Sequence, residues 1–216
     1  MESGSGYIIY GLDNLIRPGS EVNLTALKKL GVHLFHADLR ASSDLESLPE
    51  VDWVIDAAAN PSVLAGVEGR TNSRQLVEHN LVGTINLLEF CKHFRAGLII
   101  LSTSRVYSIT PLAGIPVQTI GNAFRPMKSA RFPIGFSAFG VNEEFSTLPP
   151  VSLYGATKKA SETLALEYGQ TFDFPVWVNR CGTLAGAGQF GHAEQGIFSF
   201  WIHSWFHRLP LKYIQG

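Results

Sequence analysis

Five short apolar runs punctuate this chain, with helical spacing or turn residues between them: residues 7–11 (YIIYG), 32–36 (VHLFH), 51–57 (VDWVIDA), 97–102 (GLIILS) and 175–179 (PVWVN). Each is of strand length and none is long enough for a helix of its own. Residues 23–30 carry apolar positions at helical spacing, and Gly31 stands where a helix stops. Leu76, Leu81, Ile85, Leu88 and Cys91 line one face of a long amphipathic helix over 76–94, and residues 161–168 are helical as well. The run 97–102 is wholly apolar, as in a strand buried on both faces. Alternation of this kind predicts an α/β fold: an open parallel sheet covered by helices on both sides.

Residues 105–150 break the rhythm, being rich in Pro, Gly and Phe with little periodicity. A connection of that length in a compact domain is functional more often than not, which predicts a long loop on the substrate side. After Gly182 the chain turns glycine-rich (TLAGAGQFG) and then amphipathic over 195–206. The expected organisation is a domain over 1–182 and the start of a smaller second one over 183–216.

The chain of 216 residues can bury a sizeable core. Charged residues are 16%, and Lys+Arg 17 against Asp+Glu 18 leaves no basic footprint, so no nucleic-acid partner is expected. Two cysteines cannot build a disulfide framework, which predicts a reducing, cytoplasmic setting. No apolar run approaches the roughly 18 residues of a membrane span, and the first residues lack the basic and apolar regions of a signal peptide. No membrane partner is expected.

In a parallel sheet, ligands bind beyond the carboxyl ends of the strands. Asp13 and Asn14 follow the first run. A carboxylate there can accept hydrogen bonds from both ribose hydroxyls of an adenosine, favouring NAD over its 2′-phosphorylated form, though a solvated turn carboxylate looks the same. Asp38 follows the second run with the same two readings. Ala57, Ala58 and Ala59 end the third with no bulk, as close ligand approach or tight packing would each require. The fourth delivers Ser102, Thr103 and Ser104. Later come Tyr154 and Lys158, four apart and so on one helix face. An ammonium beside a phenol favours the phenolate, which would lower the Tyr154 pKa toward that of a general base, while Thr103 holds the substrate oxygen.

Taken with GLDNLIRPGSE, HADLR, DWVIDAAANPSV, NLVGTINLLEF, LSTSRVYS, SLYGATKKASE and NRCGTLAGAGQFG, in that order, the chain resembles the extended short-chain dehydrogenase/reductase family of nucleotide-sugar epimerases and dehydratases. The resemblance implies a Rossmann-like doubly wound parallel sheet, NAD as cofactor and a nucleotide-sugar substrate. It implies Thr103, Tyr154 and Lys158 as catalytic. Asp13, Asn14, Asp38, Leu39, Ala57, Ala58, Ala59, Asn80, Tyr154, Lys158 and Cys181 would face the dinucleotide. Thr103, Ser104, Thr183 and Gln189 would face the substrate. DNLIRPGSE, DAAANPSV, STSRVYS and the glycine-rich stretch are most similar to the branch that epimerises carbon 2 of CDP-linked dideoxyhexoses. Family dehydratases follow the Thr with Asp-Glu, an acid and a base for eliminating water; Ser104 and Arg105 cannot supply that pair.

The family pattern begins with a strand and a G-x-x-G-x-x-G turn that holds the pyrophosphate. Here Gly4 and Gly6 run straight into what matches the second strand. The expected sheet therefore lacks its first strand and Gly-rich turn, a central position in the usual order, leaving a gap with exposed ladder edges. Two hypotheses follow: an NAD-dependent nucleotide-sugar 2-epimerase, with a UDP-hexose 4-epimerase as rival, or a non-catalytic remnant that keeps the three side chains without holding NAD. A homo-oligomer is left open. His203 and His207 have metal-helix spacing but no evident third ligand, so no metal is expected. Cys181 has no base placed beside it. Phe198, Trp201 and Trp205 read as core or interface, and Gln195, like Gln189, is a candidate to reach a sugar.

Overall fold

The computed structural model describes residues 6–61, 72–127, 131–191 and 196–211. Gly4, Gln195 and the Ser62–Val63 end of the DAAANPSV motif lie outside the described residues.

In chain order, β1 (Tyr10–Asp13) is followed by a 3-10 turn, Ser20–Asn23, and α1 (Leu24–Lys29). Gly31 then leaves the helix at φ 80, where a side chain would be strained. Next come β2 (His33–His36), α2 (Ser42–Glu46) and β3 (Trp53–Asp56). The long amphipathic helix is composite: α3 (Ser73–Val77), a π-helical turn Glu78–Val82, and α4 (Gly83–Phe94). Then follow β4 (Gly97–Thr103), a 3-10 turn Ser104–Val106, and α5 (Ile109–Ala113). Instead of one long loop, residues 117–141 hold two small hairpins, β5 (Val117–Ile120) with β6 (Ala123–Pro126) and β7 (Phe136–Ser137) with β8 (Gly140–Val141). The chain returns through α6 (Leu153–Phe172) and β9 (Val176–Cys181) to α7 (Ile197–Phe206).

β1 pairs parallel with β2, Tyr10 opposite His33 and Asp13 opposite His36. The first strand thus starts later than the apolar run at Tyr7. Tyr7 and Ile8 are exposed, and the ladder begins at the Ile9 carbonyl, which accepts from the His33 N–H. The second sheet is parallel in the order β3-β4-β9. Among the described residues no ladder joins β1 to β3, so the parallel strands form a pair and a triplet, each ending in an open edge.

The core lies on one side of the triplet. Leu98 and Ile100 of β4 pack with Leu87, Leu88, Phe90 and Cys91 of α4, Ala165 of α6, and Leu45 of α2. Both crossovers advance in the same direction along the sheet, and right-handed connections therefore put both helices on one face. The other face is not covered as expected: Ile99 and Leu101 are half-buried, while Trp53 and Trp177 are 44% and 58% exposed. Full apolarity of 97–102 did not mean burial on both faces.

Candidate active site

Thr103 is the last residue of β4 and caps the 3-10 turn after it, its Oγ1 accepting from the Arg105 N–H at 3.2 Å. Its hydroxyl lies near enough to the Tyr154 phenol to favour the phenolate. Tyr154 lies in the first turn of α6, where Ser152 caps by accepting from the Gly155 N–H at 3.1 Å. Gly155 permits the approach: a Cβ there would collide with the Arg105 carbonyl. Leu76 of α3 packs against the buried Tyr154 ring from the other side. Sequence reasoning expected Thr103 and Tyr154 to act on one substrate oxygen, and the fold sets the two residues near each other.

Lys158 follows one turn later on the same face, only 1% exposed, and its ammonium makes no hydrogen bond among the described residues. The expected lowering of the Tyr154 pKa is not found. Burial pushes the phenol up, with the Thr103 hydroxyl and the Arg105 charge opposing. The ammonium's field is felt instead by Asp56 at the end of β3, whose carboxyl burial raises and Lys158 pulls back down. Asp56 accepts from the Ala58 N–H at 3.1 Å and from Thr84 Oγ1 at 3.4 Å.

The π turn centres on Asn80, which is buried rather than open to a ligand. Its amide pins the loop after β3, accepting from the Asn60 N–H at 2.7 Å and donating to the Asn60 carbonyl at 3.0 Å. It also donates to Thr157 Oγ1 at 3.2 Å, while its own carbonyl accepts from Thr84 and Ser161. Such π turns concentrate at functional sites because they free backbone groups and re-aim a side chain. Here the turn joins the β3 loop to the helix carrying Tyr154.

Beyond the carboxyl end of β2, Asp38 is held by Arg40 through a fork with contacts of 2.6–3.1 Å and by Asn14 Nδ2 at 3.0 Å. The guanidinium beside it keeps its carboxyl well below the usual range. Arg40 also reaches His79 Nε2 at 2.8 Å, and burial together with that cation pulls the imidazole down. Asp13 is exposed, one oxygen accepting from the Leu15 N–H at 2.7 Å. Leu39 is half-buried against the core, its carbonyl accepting from Asn86 at 2.7 Å. Ala57, Ala58 and Ala59 are exposed, leaving the end of β3 open.

Cys181 stands opposite Thr103 in the β4–β9 register, half-buried. Ser104, Arg105 and Thr183 are exposed. Gln189 is turned into its own loop, donating to the Leu184 carbonyl at 3.1 Å and accepting from Ser199 at 3.3 Å.

Sequence reasoning missed two acids. Asp56 was hidden in an apolar run. Glu162 is 1% exposed and tied to Ser102 and Arg180, and its spacing of four residues after Lys158 was a signal that went unread.

A family model described as the NAD dependent epimerase/dehydratase family matches residues 2–214. The chain is 28% identical over 223 residues to CDP-paratose 2-epimerase of Salmonella typhi, covering 100% of this chain and 60% of that protein. It is 29% identical over 210 residues to UDP-glucuronate 4-epimerase of Thermodesulfobacterium geofontis, covering 92% and 55%. The solved UDP-glucose 4-epimerase of Thermus thermophilus, a complex with NAD, superposes at a TM-score of 0.68 with 26% identity, over 95% of this chain and 57% of that one. The chain thus spans a little over half the length of each. The Rossmann-like parallel α/β architecture agrees with the family match, which decides the assignment: this chain belongs to the NAD dependent epimerase/dehydratase family.

Proposed function

We propose that the chain carries the catalytic half of an NAD-dependent nucleotide-sugar epimerase, acting on carbon 2 of a CDP-linked dideoxyhexose such as CDP-paratose. The observation that carries the reading is the placement of Thr103, at the end of β4, near the buried Tyr154, with Lys158 buried one turn further along α6. Thr103 would hold the sugar oxygen while the Tyr154 phenol oxygen exchanges its proton. Bound NAD would supply reversible hydride exchange, so that oxidation and re-reduction leave no net redox change. The exposed Ser104 and Arg105 offer no acid–base pair for eliminating water, which favours epimerisation over dehydration.

The residues suit both ends of the dinucleotide. Asp13, with a carboxylate oxygen facing solvent, would take the adenosine ribose, and the open Ala57–Ala59 segment would admit the chain of the ligand. Lys158, whose side chain is buried and whose ammonium makes no hydrogen bond among the described residues, would meet the nicotinamide ribose. Cys181 would lie beside the ring. Asp38, saturated by Arg40 and Asn14, would contribute by holding Asn14 rather than by direct contact. Residues 183–216 would open the substrate-binding part, with Thr183 on the sugar side.

Two other readings have support. The similarity to UDP-glucuronate and UDP-glucose 4-epimerases favours a UDP-sugar 4-epimerase with the same three side chains. The open edges of β1 and β3 favour a chain that does not hold NAD by itself. A panel of CDP- and UDP-sugars separates the first two: turnover of CDP-paratose is expected, and turnover of UDP-galactose alone overturns the assignment.

A further inference from the structure

We propose that Glu162 is the positioning residue of this site: its carboxylate locks α6 to the ends of β4 and β9 and thereby sets the Tyr154 phenol near the Thr103 hydroxyl. The proposal rests on the Thr103–Tyr154 pairing of the reading above.

Glu162 lies four residues after Lys158 and eight after Tyr154, on the same face of α6. Its side chain is 1% exposed, and both oxygens are committed. Oε1 accepts from Ser102 Oγ at 2.6 Å and from Arg180 Nε at 3.1 Å. Oε2 accepts from Arg180 Nη2 at 2.9 Å and from Lys159 Nζ at 3.4 Å. Ser102 and Arg180 are register partners across β4 and β9, and the next pair in that ladder is Thr103 with Cys181. One carboxylate therefore grips both strands a single residue before the two side chains that face the site.

The apolar contacts of α6, such as Ala165 against the core, are non-directional and tolerate rotation or sliding of the helix. A bidentate carboxylate–guanidinium fork does not. Burial works against the charge of Glu162, yet the bonds from Arg180 and Ser102 outweigh it and hold the carboxyl below its ordinary range. The arrangement carries a cost: Arg180 Nη1 is buried with no hydrogen-bond partner among the described residues, and the guanidinium is kept over the Tyr107 ring at 5.2 Å. An apolar pair of similar volume could replace such a buried ion pair without loss of stability, so its value here lies in fixing geometry.

The test is a double-mutant cycle on the full chain, labelled with 13Cζ-tyrosine, in which the Tyr154 titration is followed by NMR and identified by its absence in Tyr154→Phe. In the wild-type background Thr103→Val is expected to move that titration upward by about one pH unit, the worth of a hydroxyl's interaction with the phenolate. In the Glu162→Met/Arg180→Met background, with a melting temperature close to wild type, the same Thr103→Val change is expected to move it by less than a third as much. Ser102→Ala serves as a milder background that leaves the ion pair in place, and there the shift is expected to fall by about half. An undiminished shift in these backgrounds overturns the proposal and leaves the catalytic reading standing. No shift in the wild-type background shows that Thr103 and Tyr154 do not pair, and takes both down.

Discussion

Trp53 and Trp177 stack face to face on the uncovered side of the parallel triplet, ring centroids 5.0 Å apart and 10° from parallel, across the bare backbone of Gly97. Gly97 pairs with Trp53 in the β3–β4 ladder, and a Cβ there would sit inside the Trp53 ring. Gly97→Ala is expected to break the stack by swinging the half-exposed Trp53 outward. The cost should be about 1 kcal/mol, the worth of an aromatic pair. Near-UV circular dichroism reads the lost indole coupling, and a thermal melt reads the small cost.

Tyr154→Phe is expected to lower turnover by about 10²–10⁴-fold, the usual worth of a general acid–base group, with the melting temperature unchanged. Because burial holds the phenol above its ordinary value, the phenolate fraction is small at neutral pH and grows about tenfold per unit as pH rises. The wild-type rate should therefore climb on the alkaline side. A rate flat with pH up to the point of unfolding would remove Tyr154 as the base.

Glu162 titrates below its ordinary value in the folded chain, so its contribution to stability is present above the ordinary glutamate range and is lost as pH falls through the depressed value. Glu162→Gln leaves Arg180 buried without its counter-ion and is expected to cost roughly 3–5 kcal/mol at pH 7. The gap between variant and wild type should close as the melts are carried down toward pH 3, because the wild type then loses the same charge.

Asp56 has the opposite sign. Its folded-state value is raised, mainly by burial, so the stability it contributes is present below the ordinary aspartate value and lost as pH rises through the folded one. Asp56→Asn keeps an acceptor for the Ala58 N–H and is expected to raise the melting temperature at pH 7, with the gain fading toward pH 4. A loss of stability at pH 7 would mean that the Lys158 attraction outweighs desolvation.

The two thiols should separate cleanly. Cys91 is fully buried and its thiol is pushed up to about 12 by burial and the nearby Asp56, whereas Cys181 is half-buried at the end of β9. One thiol per native chain should react with a disulfide reagent, and both after denaturation. Reaction of Cys181 should slow when NAD is added if the ring lies beside it.

Much of this was legible because strand ends are written in polar residues after apolar runs. Ser102, Thr103 and Ser104 at the end of the 97–102 run, and the four-residue spacing of Tyr154 and Lys158, mark the candidate site in the sequence. The Gly121–Asn122 turn between β5 and β6 was legible too, as two turn residues between apolar runs, but the Pro-rich surroundings concealed it. Other features were not legible in principle. Register depends on a partner strand, so the apolar run at Tyr7 misplaced β1 until the ladder with His33 set it. The field of a charge depends on distances that spacing does not give: Tyr154 and Lys158 share a helix face, yet the ammonium acts on Asp56. The same limit hid the partners of Glu162, because Ser102 and Arg180 come from two distant strands.

The most direct test of the central claim is to purify the full chain, confirm that it is folded, denature it, and measure the nicotinamide dinucleotide released. About one NAD or NADH per chain is expected if the Thr103, Tyr154 and Lys158 end and the Asp13 end hold the cofactor together. A folded chain that releases none, and gains no melting temperature on adding NAD, contradicts a functioning NAD site in this polypeptide.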